Sequence, residues 1–138
     1  MMNMFAREYS LKEIRRLIDL ANRFELVGRE IINEYSIDQI QKVYNGIGPD
    51  RFSEKFRKFL TNMNHDPLPA VLIHDLQFDK GGSKERFYEV NDELHKNLVI
   101  LSSCLYSKWN PWRYIQMFRA WYFCKICDKI GFECWNLH

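Results

Sequence analysis

A short break between two apolar helical stretches is the feature that most restricts how this chain can fold. The first stretch, about 68–78, is almost wholly apolar and runs into the doublet Gly81-Gly82, a typical helix end. Ser83 then has the position of a helix cap for a second stretch, about 84–103. The inward positions of that stretch recur at helical spacing: Phe87, Val90, Asn91, Leu94, Leu98 and Leu101. Since so few residues separate the two stretches, we expect two antiparallel core helices.

Helical spacing also accounts for the rest of the chain. Ser10 and Glu13 have the spacing of a capping box, and Asn110-Pro111 is typical of a helix start. Further helices are predicted at about 11–24, 52–63 and 111–130. Residues 25–35 are apolar but poorly periodic, and Ser36 has the position of a cap for a short helix at 37–44, so these two stretches are weaker helix predictions. No stretch alternates as a strand does, and no internal repeat is present. We therefore predict an all-α fold of five or six helices, with residues 1–138 forming one domain.

Length and composition agree with a single folded domain. The chain of 138 residues can bury a core, and its 46% hydrophobic and 15% aromatic residues exclude a disordered polymer. Twenty basic residues are balanced by 18 acidic ones, which gives a net charge of +2, so we expect no nucleic-acid partner. Residues 1–8 lack the apolar core of a signal peptide. No uncharged apolar run reaches the roughly 18 residues of a membrane span. We expect a cytoplasmic protein.

Two of the four cysteines, Cys124 and Cys127, have the C-x-x-C spacing of zinc and redox sites. The surrounding sequence is helical, and the stripe that contains them also includes Met117 and Trp121. This pattern favours cysteines that act as small buried hydrophobic residues. A metal or redox role is the alternative.

The predicted C-terminal helix is aromatic on nearly every turn: Trp112, Tyr114, Phe118, Trp121 and Tyr122. An aromatic stripe of this kind favours a core position or a homodimer face over a lipid-binding or base-stacking surface. We expect the stripe to be buried, either inside the domain or against a second copy.

Polar residues on the apolar faces of the two core helices are candidates for chemistry. His74 and Asp75 lie side by side, and burying such a pair costs free energy unless both find partners. Asn91 falls on the inward face of the second helix and needs a hydrogen-bond partner. Asp92 falls on another side, with His95, for which we predict a surface position. A satisfied structural pair is the simpler interpretation of His74-Asp75.

A glycine-containing loop, Tyr44-Asn45-Gly46-Ile47-Gly48-Pro49, precedes these helices. Its two glycines allow positive φ, and the proline prevents a helix from continuing. Such a loop can direct several backbone carbonyls toward one point, which suits Ca²⁺ with its 6–8 oxygen ligands. An ordinary turn at a helix end explains the same residues.

Three separated pieces, in this order, resemble the phospholipase A2 superfamily. They are the loop 44–49, the His74-Asp75 helix, and Gly81-Gly82-Ser83 followed by Arg86-Phe87-Tyr88-Glu89-Val90-Asn91. The chain is most similar to the small, disulfide-poor bacterial and phage-encoded branch, over about residues 44–98. The resemblance implies Ca²⁺-assisted hydrolysis of a phospholipid acyl ester, with a phospholipid or membrane surface as partner.

The resemblance also implies a role for each matching residue. His74 would be the general base that takes a proton from the attacking water. Asn91 would orient its ring. Asp75 would bind Ca²⁺, and the ion would act as a Lewis acid on the ester carbonyl. Further Ca²⁺ ligands would be the backbone carbonyls of Tyr44, Gly46 and Gly48.

The chain departs from the family pattern at the same site. Phe78 stands where the family has a tyrosine, and Asn91 stands where it has the orienting carboxylate. Asp92 is a candidate substitute if the helix register differs. Two hypotheses follow: a Ca²⁺-dependent ester hydrolase, and a non-catalytic phospholipase-like structural or interaction module, possibly of phage origin. A metal-dependent phosphohydrolase would need another ligating histidine well upstream, and His65 is only nine residues before His74.

Overall fold

A computed structural model describes residues 9–44, 68–130, 132 and 135 of the chain. Within these ranges the structure is all-α, as predicted, and contains no β-strand. The elements are α1 (Leu11–Arg23), a 3₁₀ helix (Arg29–Glu34), α2 (Ile37–Tyr44), α3 (Leu68–Lys80), α4 (Lys84–Leu105) and α5 (Pro111–Ile130). The predicted helix at 52–63 lies outside the described residues.

Side-chain caps start the helices where the sequence predicts them. The Ser10 hydroxyl accepts a hydrogen bond from the Glu13 backbone N–H at 3.2 Å, and the Glu13 carboxylate accepts from the Ser10 N–H to complete the capping box. Ser83 accepts from the Arg86 N–H at 3.2 Å. Asn110 accepts from the Trp112 N–H at 3.0 Å. Each bond satisfies a backbone donor that has no partner within the helix.

The prediction of a helix at 25–35 is only partly right. Glu25 has φ +51° and Gly28 has φ +82°, so the chain leaves the right-handed helical region twice before the 3₁₀ helix begins. Asn97 of α4 holds this turn, because its side chain accepts from the Val27 N–H at 2.6 Å and donates to the Val27 carbonyl at 2.8 Å. Tertiary hydrogen bonding therefore replaces the regular helical ladder here.

The two central helices, α3 and α4, form the predicted antiparallel pair. His74 contacts Asn91, and Phe78, one turn further along α3, contacts Phe87, one turn earlier on α4. Helix α3 also contacts α1, α2 and the 3₁₀ helix. Its buried positions consequently lie all around it: Pro69, Ala70, Val71, Leu72, Ile73, His74, Leu76, Gln77 and Phe78. This surrounded helix is the centre of the domain and carries the candidate site.

The last helix, α5, packs against α4, but its aromatic stripe faces outward. The inward positions are small or polar: Gln116, Ala120 and Cys124. Phe118 is 64% exposed and Trp121 is 47% exposed, so the predicted burial of the aromatic stripe in the domain core is wrong. The helical spacing of the stripe is as predicted, but the side of α5 with the larger apolar residues is the exposed one.

Cys124 is buried, as the sequence predicts, and Cys104 is exposed. Burial raises the pKa of the Cys124 thiol, and the nearby Asp128 carboxylate adds to this effect. A thiol held in its protonated form is a poor metal ligand and a poor nucleophile. The side chains of Cys127 and Cys134 lie outside the described residues.

Across the described ranges, no helix is both long enough and apolar enough to cross a membrane.

Candidate functional site

The centre of the site is the imidazole of His74, which is only 1% exposed. Its Nε2 lies 3.0 Å from Oδ1 of Asn91, across the interface between α3 and α4. The Phe78 ring, one turn along α3, lies against the imidazole with ring centroids 4.3 Å apart. The antiparallel register of the two helices therefore brings together the His and Asn that the sequence predicts as base and orienting residue.

A third residue, Asp128 of α5, extends this pair into a network. The side-chain amide of Asn91 donates to Oδ1 of Asp128 at 2.9 Å. Since a carboxylate can only accept, the NH₂ group of Asn91 must face Asp128 and its oxygen must face His74. An oxygen at that position requires His74 Nε2 to carry the proton. The neutral ring then has its lone pair on Nδ1, which is the atom that can act as a base.

Burial controls the charge of this imidazole. Desolvation lowers the pKa of His74 to about 4, and the hydrogen bond to Asn91 opposes that effect without cancelling it. The ring is therefore neutral at pH 7. A neutral ring is the form that a general base needs.

The structure brings Asn91, and not Asp92, to His74. Asn91 is fully buried, whereas Asp92 is exposed on another side of α4. The predicted substitution of Asp92 for the orienting carboxylate therefore has no geometric basis in this register. His95, predicted at the surface, is half-buried, and desolvation lowers its pKa.

The predicted calcium ligands are only partly within the described residues. Asp75 is half-buried on α3, and Tyr44 is buried as the last residue of α2, where helix carbonyls lack intrahelical donors. Gly46 and Gly48 lie outside the described residues. Among the residues that are described, no three His, Cys, Asp or Glu side chains come together to hold a metal ion. One carboxylate and one helix-end carbonyl fall short of a calcium shell.

An aromatic cluster surrounds Phe78, at the position where the family resemblance would place a tyrosine. Its ring centroid lies 5.2 Å from that of Trp135 and 5.9 Å from that of Phe87. The Trp135 indole N–H donates to the Gly82 carbonyl at 3.1 Å, which ties the segment after α5 to the α3–α4 connection. Phe78 thus fills an apolar position, and the network relies on Asp128 instead of a tyrosine hydroxyl.

Asp128 is not among the predicted site residues, although the sequence contains a signal for it. Ala120, Cys124 and Asp128 follow one another at intervals of four residues, so they share the face of α5 that packs on α4. A carboxylate on an inward row is unusual enough to mark a candidate. What the sequence could not show is which residue of α4 it meets.

A separate polar cleft of about 460 Å³ lies beside the other side of α3. Gln77 lines it and donates to the Glu93 carboxylate at 2.9 Å. Lys80 and Glu34 also line the cleft and form an ion pair at 2.8 Å. His74 does not line this cleft, so the cleft is not an entrance to the network.

Comparison of the chain with protein-family models, with curated proteins and with solved structures found no match.

Proposed function

We propose that this protein hydrolyses an acyl ester of a phospholipid, with His74 as general base. The observation that carries the proposal is the network from His74 through Asn91 to Asp128, which places the ring proton on Nε2 and the lone pair on Nδ1. A neutral imidazole held in one orientation is the form of histidine that can take a proton from water. The resemblance in the sequence supplies the substrate class.

In the proposed reaction Nδ1 of His74 takes a proton from water as the water attacks the ester carbonyl. The imidazolium that forms keeps its Nε2 proton directed at the Asn91 oxygen. Asp128 accepts from the other end of the same amide, so its negative charge polarises the amide toward the imidazolium. The proton then passes from Nδ1 to the leaving alcohol. Asn91 and Asp128 act as positioning residues throughout.

Calcium belongs to the proposal as a bound ion that would polarise the ester carbonyl. Asp75 would supply a carboxylate oxygen, and the loop that begins at Tyr44 and includes Gly46 and Gly48 would supply carbonyl oxygens. Thermal unfolding with and without millimolar Ca²⁺ tests this part alone, because an ion that binds only the folded state raises the melting temperature. Asp75→Asn should abolish the rise, and Asp92→Asn, on the exposed side of α4, should leave it intact. A wild-type melting temperature that does not respond to Ca²⁺ would remove the ion from the proposal.

One observation favours the second function, a non-catalytic structural or interaction module. The His74 ring is almost completely buried, and a neutral histidine with a satisfied hydrogen bond also serves as a specifying polar group in a helical core. In that case the network holds α3, α4 and α5 in register and performs no reaction.

Hydrolysis of mixed phospholipid vesicles separates the two functions. We expect fatty-acid release by the wild-type protein, and a loss of several hundredfold or more in His74→Gln, since general-base catalysis contributes about 10²–10⁴-fold. His95→Gln, a half-buried histidine on α4, is the matched control and should retain the wild-type rate. Circular dichroism at the assay temperature confirms that each variant is folded. Equal turnover by wild type and His74→Gln excludes His74 as the base, and no turnover by either supports the module.

A further inference from the structure

Within the described part of the chain, large apolar side chains are exposed almost entirely in one segment. Of the nine large hydrophobic residues that are exposed among those described, eight fall between 109 and 132. Five of these eight lie along one side of α5 and form what we call the aromatic face: Tyr114, Ile115, Phe118, Trp121 and Tyr122. Monomeric soluble proteins rarely expose a contiguous apolar surface of this kind without using it.

Helical geometry makes this surface continuous. Tyr114, Phe118 and Tyr122 are spaced by four residues and so lie in one row, with Ile115 and Trp121 beside it. The opposite side of α5 packs on α4 and contains the buried residues Gln116, Ala120 and Cys124. The helix is thus amphipathic in the reverse of the usual sense, with small and polar residues inside and large aromatic residues outside.

Positive charge accompanies the aromatic face. Five of the 20 basic residues but only one of the 18 acidic residues fall within 106–132, so this segment carries +4 while the rest of the chain carries −2. Lys125 and Lys129 are exposed and continue the face toward the C-terminal end of α5. The single acidic residue, Asp128, is turned toward Asn91. Positive charge therefore predominates on the described part of this segment.

We infer that the aromatic face of α5 is a docking surface for an anionic lipid bilayer, on which the helix lies parallel to the membrane plane. Tyr and Trp have an apolar ring and a polar tip, which suits the boundary between acyl chains and head groups. Tyr114 is an example, because the side chain is exposed while its hydroxyl donates to the Lys108 carbonyl at 2.8 Å. Lysines at the edge of the face meet the lipid phosphates.

Charge favours this occupant over a second copy of the chain. Two aromatic faces brought together would confront two segments of +4 with each other, and would bury tyrosine hydroxyls and tryptophan N–H groups that then need partners. A hydrated head-group layer satisfies those groups and supplies the opposite charge. This inference is independent of the proposed hydrolysis, since docking requires neither His74 nor calcium.

Binding to non-hydrolysable vesicles tests the inference without any contribution from turnover. We would use the full chain, a chelator, and ether-linked phosphatidylglycerol mixed with ether-linked phosphatidylcholine, and measure co-flotation together with tryptophan emission. We expect binding to the mixed vesicles, a blue shift in emission, and at least about tenfold weaker binding to phosphatidylcholine alone. Equal binding to both vesicles, or binding to neither, would overturn the inference.

Surface variants locate the contact. Phe118→Ser with Trp121→Ser should weaken binding by at least about tenfold through lost apolar area, and Lys125→Glu with Lys129→Glu should do so through charge. Tyr88→Ser, at an exposed aromatic on α4, is the matched control and should bind as wild type. Wild-type binding by the Phe118/Trp121 variant would exclude the aromatic face. Light scattering that shows a dimer which this variant abolishes, with vesicle binding unchanged, would assign the face to a second copy instead.

Discussion

At the scale of single residues, the orientation of one amide decides what the site can do. Asn91 lies between an acceptor-only carboxylate and an imidazole, so its oxygen can face only His74. The tautomer of His74 is thereby assigned, with the ring proton on Nε2. A carboxylate at position 91 would have accepted from the ring directly; here the carboxylate lies one hydrogen bond further away, on Asp128.

The lowered pKa of His74 predicts how stability depends on pH. The folded ring titrates at about 4, and an unfolded histidine titrates at its ordinary 6.5, so between these values the unfolded chain binds more protons. The free energy of unfolding must then fall as the pH drops from 6.5 toward 4, by about 3 kcal/mol in total from this group. Urea unfolding at a series of pH values measures this slope. In His74→Gln the slope should flatten, and an unchanged slope would show that His74 is not the buried neutral group.

Exchanging the amide and the carboxylate tests the network more directly. Asn91→Asp alone places two carboxylates at a contact that now measures 2.9 Å and should destabilise the fold by about 1–3 kcal/mol. Asp128→Asn alone should cost a similar amount, since it removes a charge-assisted hydrogen bond. The double variant Asn91→Asp/Asp128→Asn restores an acceptor facing His74 and should recover most of the loss. It should also raise the pKa of His74, which ¹⁵N chemical shifts of the ring report; additive losses would mean that the three residues do not act as one network.

At the scale of elements, the backbone conformation at the turn between α1 and the 3₁₀ helix predicts the effect of two substitutions on stability. Gly28 has φ +82°, and a Cβ there would stand 2.6 Å from Nε2 of Gln77. Gly28→Ala should therefore cost about 1–3 kcal/mol, from left-handed strain and displacement of Gln77. Glu25 offers the reverse test, because it is exposed and has φ +51°, a conformation that glycine adopts without strain. Glu25→Gly should therefore stabilise the folded protein by up to about 1 kcal/mol. Thermal melts of the two variants check both signs, and a neutral Gly28→Ala would contradict the close approach.

The elements that could be predicted from sequence are those whose ends are determined locally. Ser10, Ser83 and Asn110 cap their helices with side-chain bonds to residues two or three positions away, so short-range patterns suffice. The turn at 24–28 depends on Asn97, seventy residues from Val27, and no local pattern contains that information. The same distinction applies to the candidate site. Helical spacing predicts that Asn91 lies on the inward face of α4, whereas its hydrogen bond to Asp128 depends on the packing of α5 and has no local sequence signal.

The outward aromatic side of α5 shows a limit of a different kind. Helical period tells which residues share a side, but it does not tell which side is buried. That choice depends on the surface of α4, where Ser103 accepts from the Arg113 guanidinium at 3.2 Å and Asn91 meets Asp128. Among the described residues, these two polar pairs lie between α4 and the inner side of α5.

At the scale of the whole molecule, unequal packing predicts unequal protection from hydrogen exchange. Helix α3 contacts α1, α2, the 3₁₀ helix and α4, and Leu72, Ile73 and Leu76 have no exposed surface. Amides in the middle of α3 should exchange only through global unfolding. Helix α5, which packs against α4 and presents its other side outward, should open at lower free energy. Exchange followed by mass spectrometry measures both, and α3 amides that exchange as fast as those of α5 would contradict this order.

Through the hydrogen bond between Asn91 and Asp128, helix α5 is connected to the buried His74 on one side, while its other side is exposed. A ligand on the outside of α5 that favours an axial shift of this helix would draw Asp128 away from Asn91, and the amide that fixes the tautomer of His74 would lose one of its two partners. Thermodynamic reciprocity requires the converse, so that a ligand which stabilises the oriented ring also tightens the seating of α5 by the same free energy. A helix with one exposed side and a buried imidazole are thus connected through a single side-chain amide.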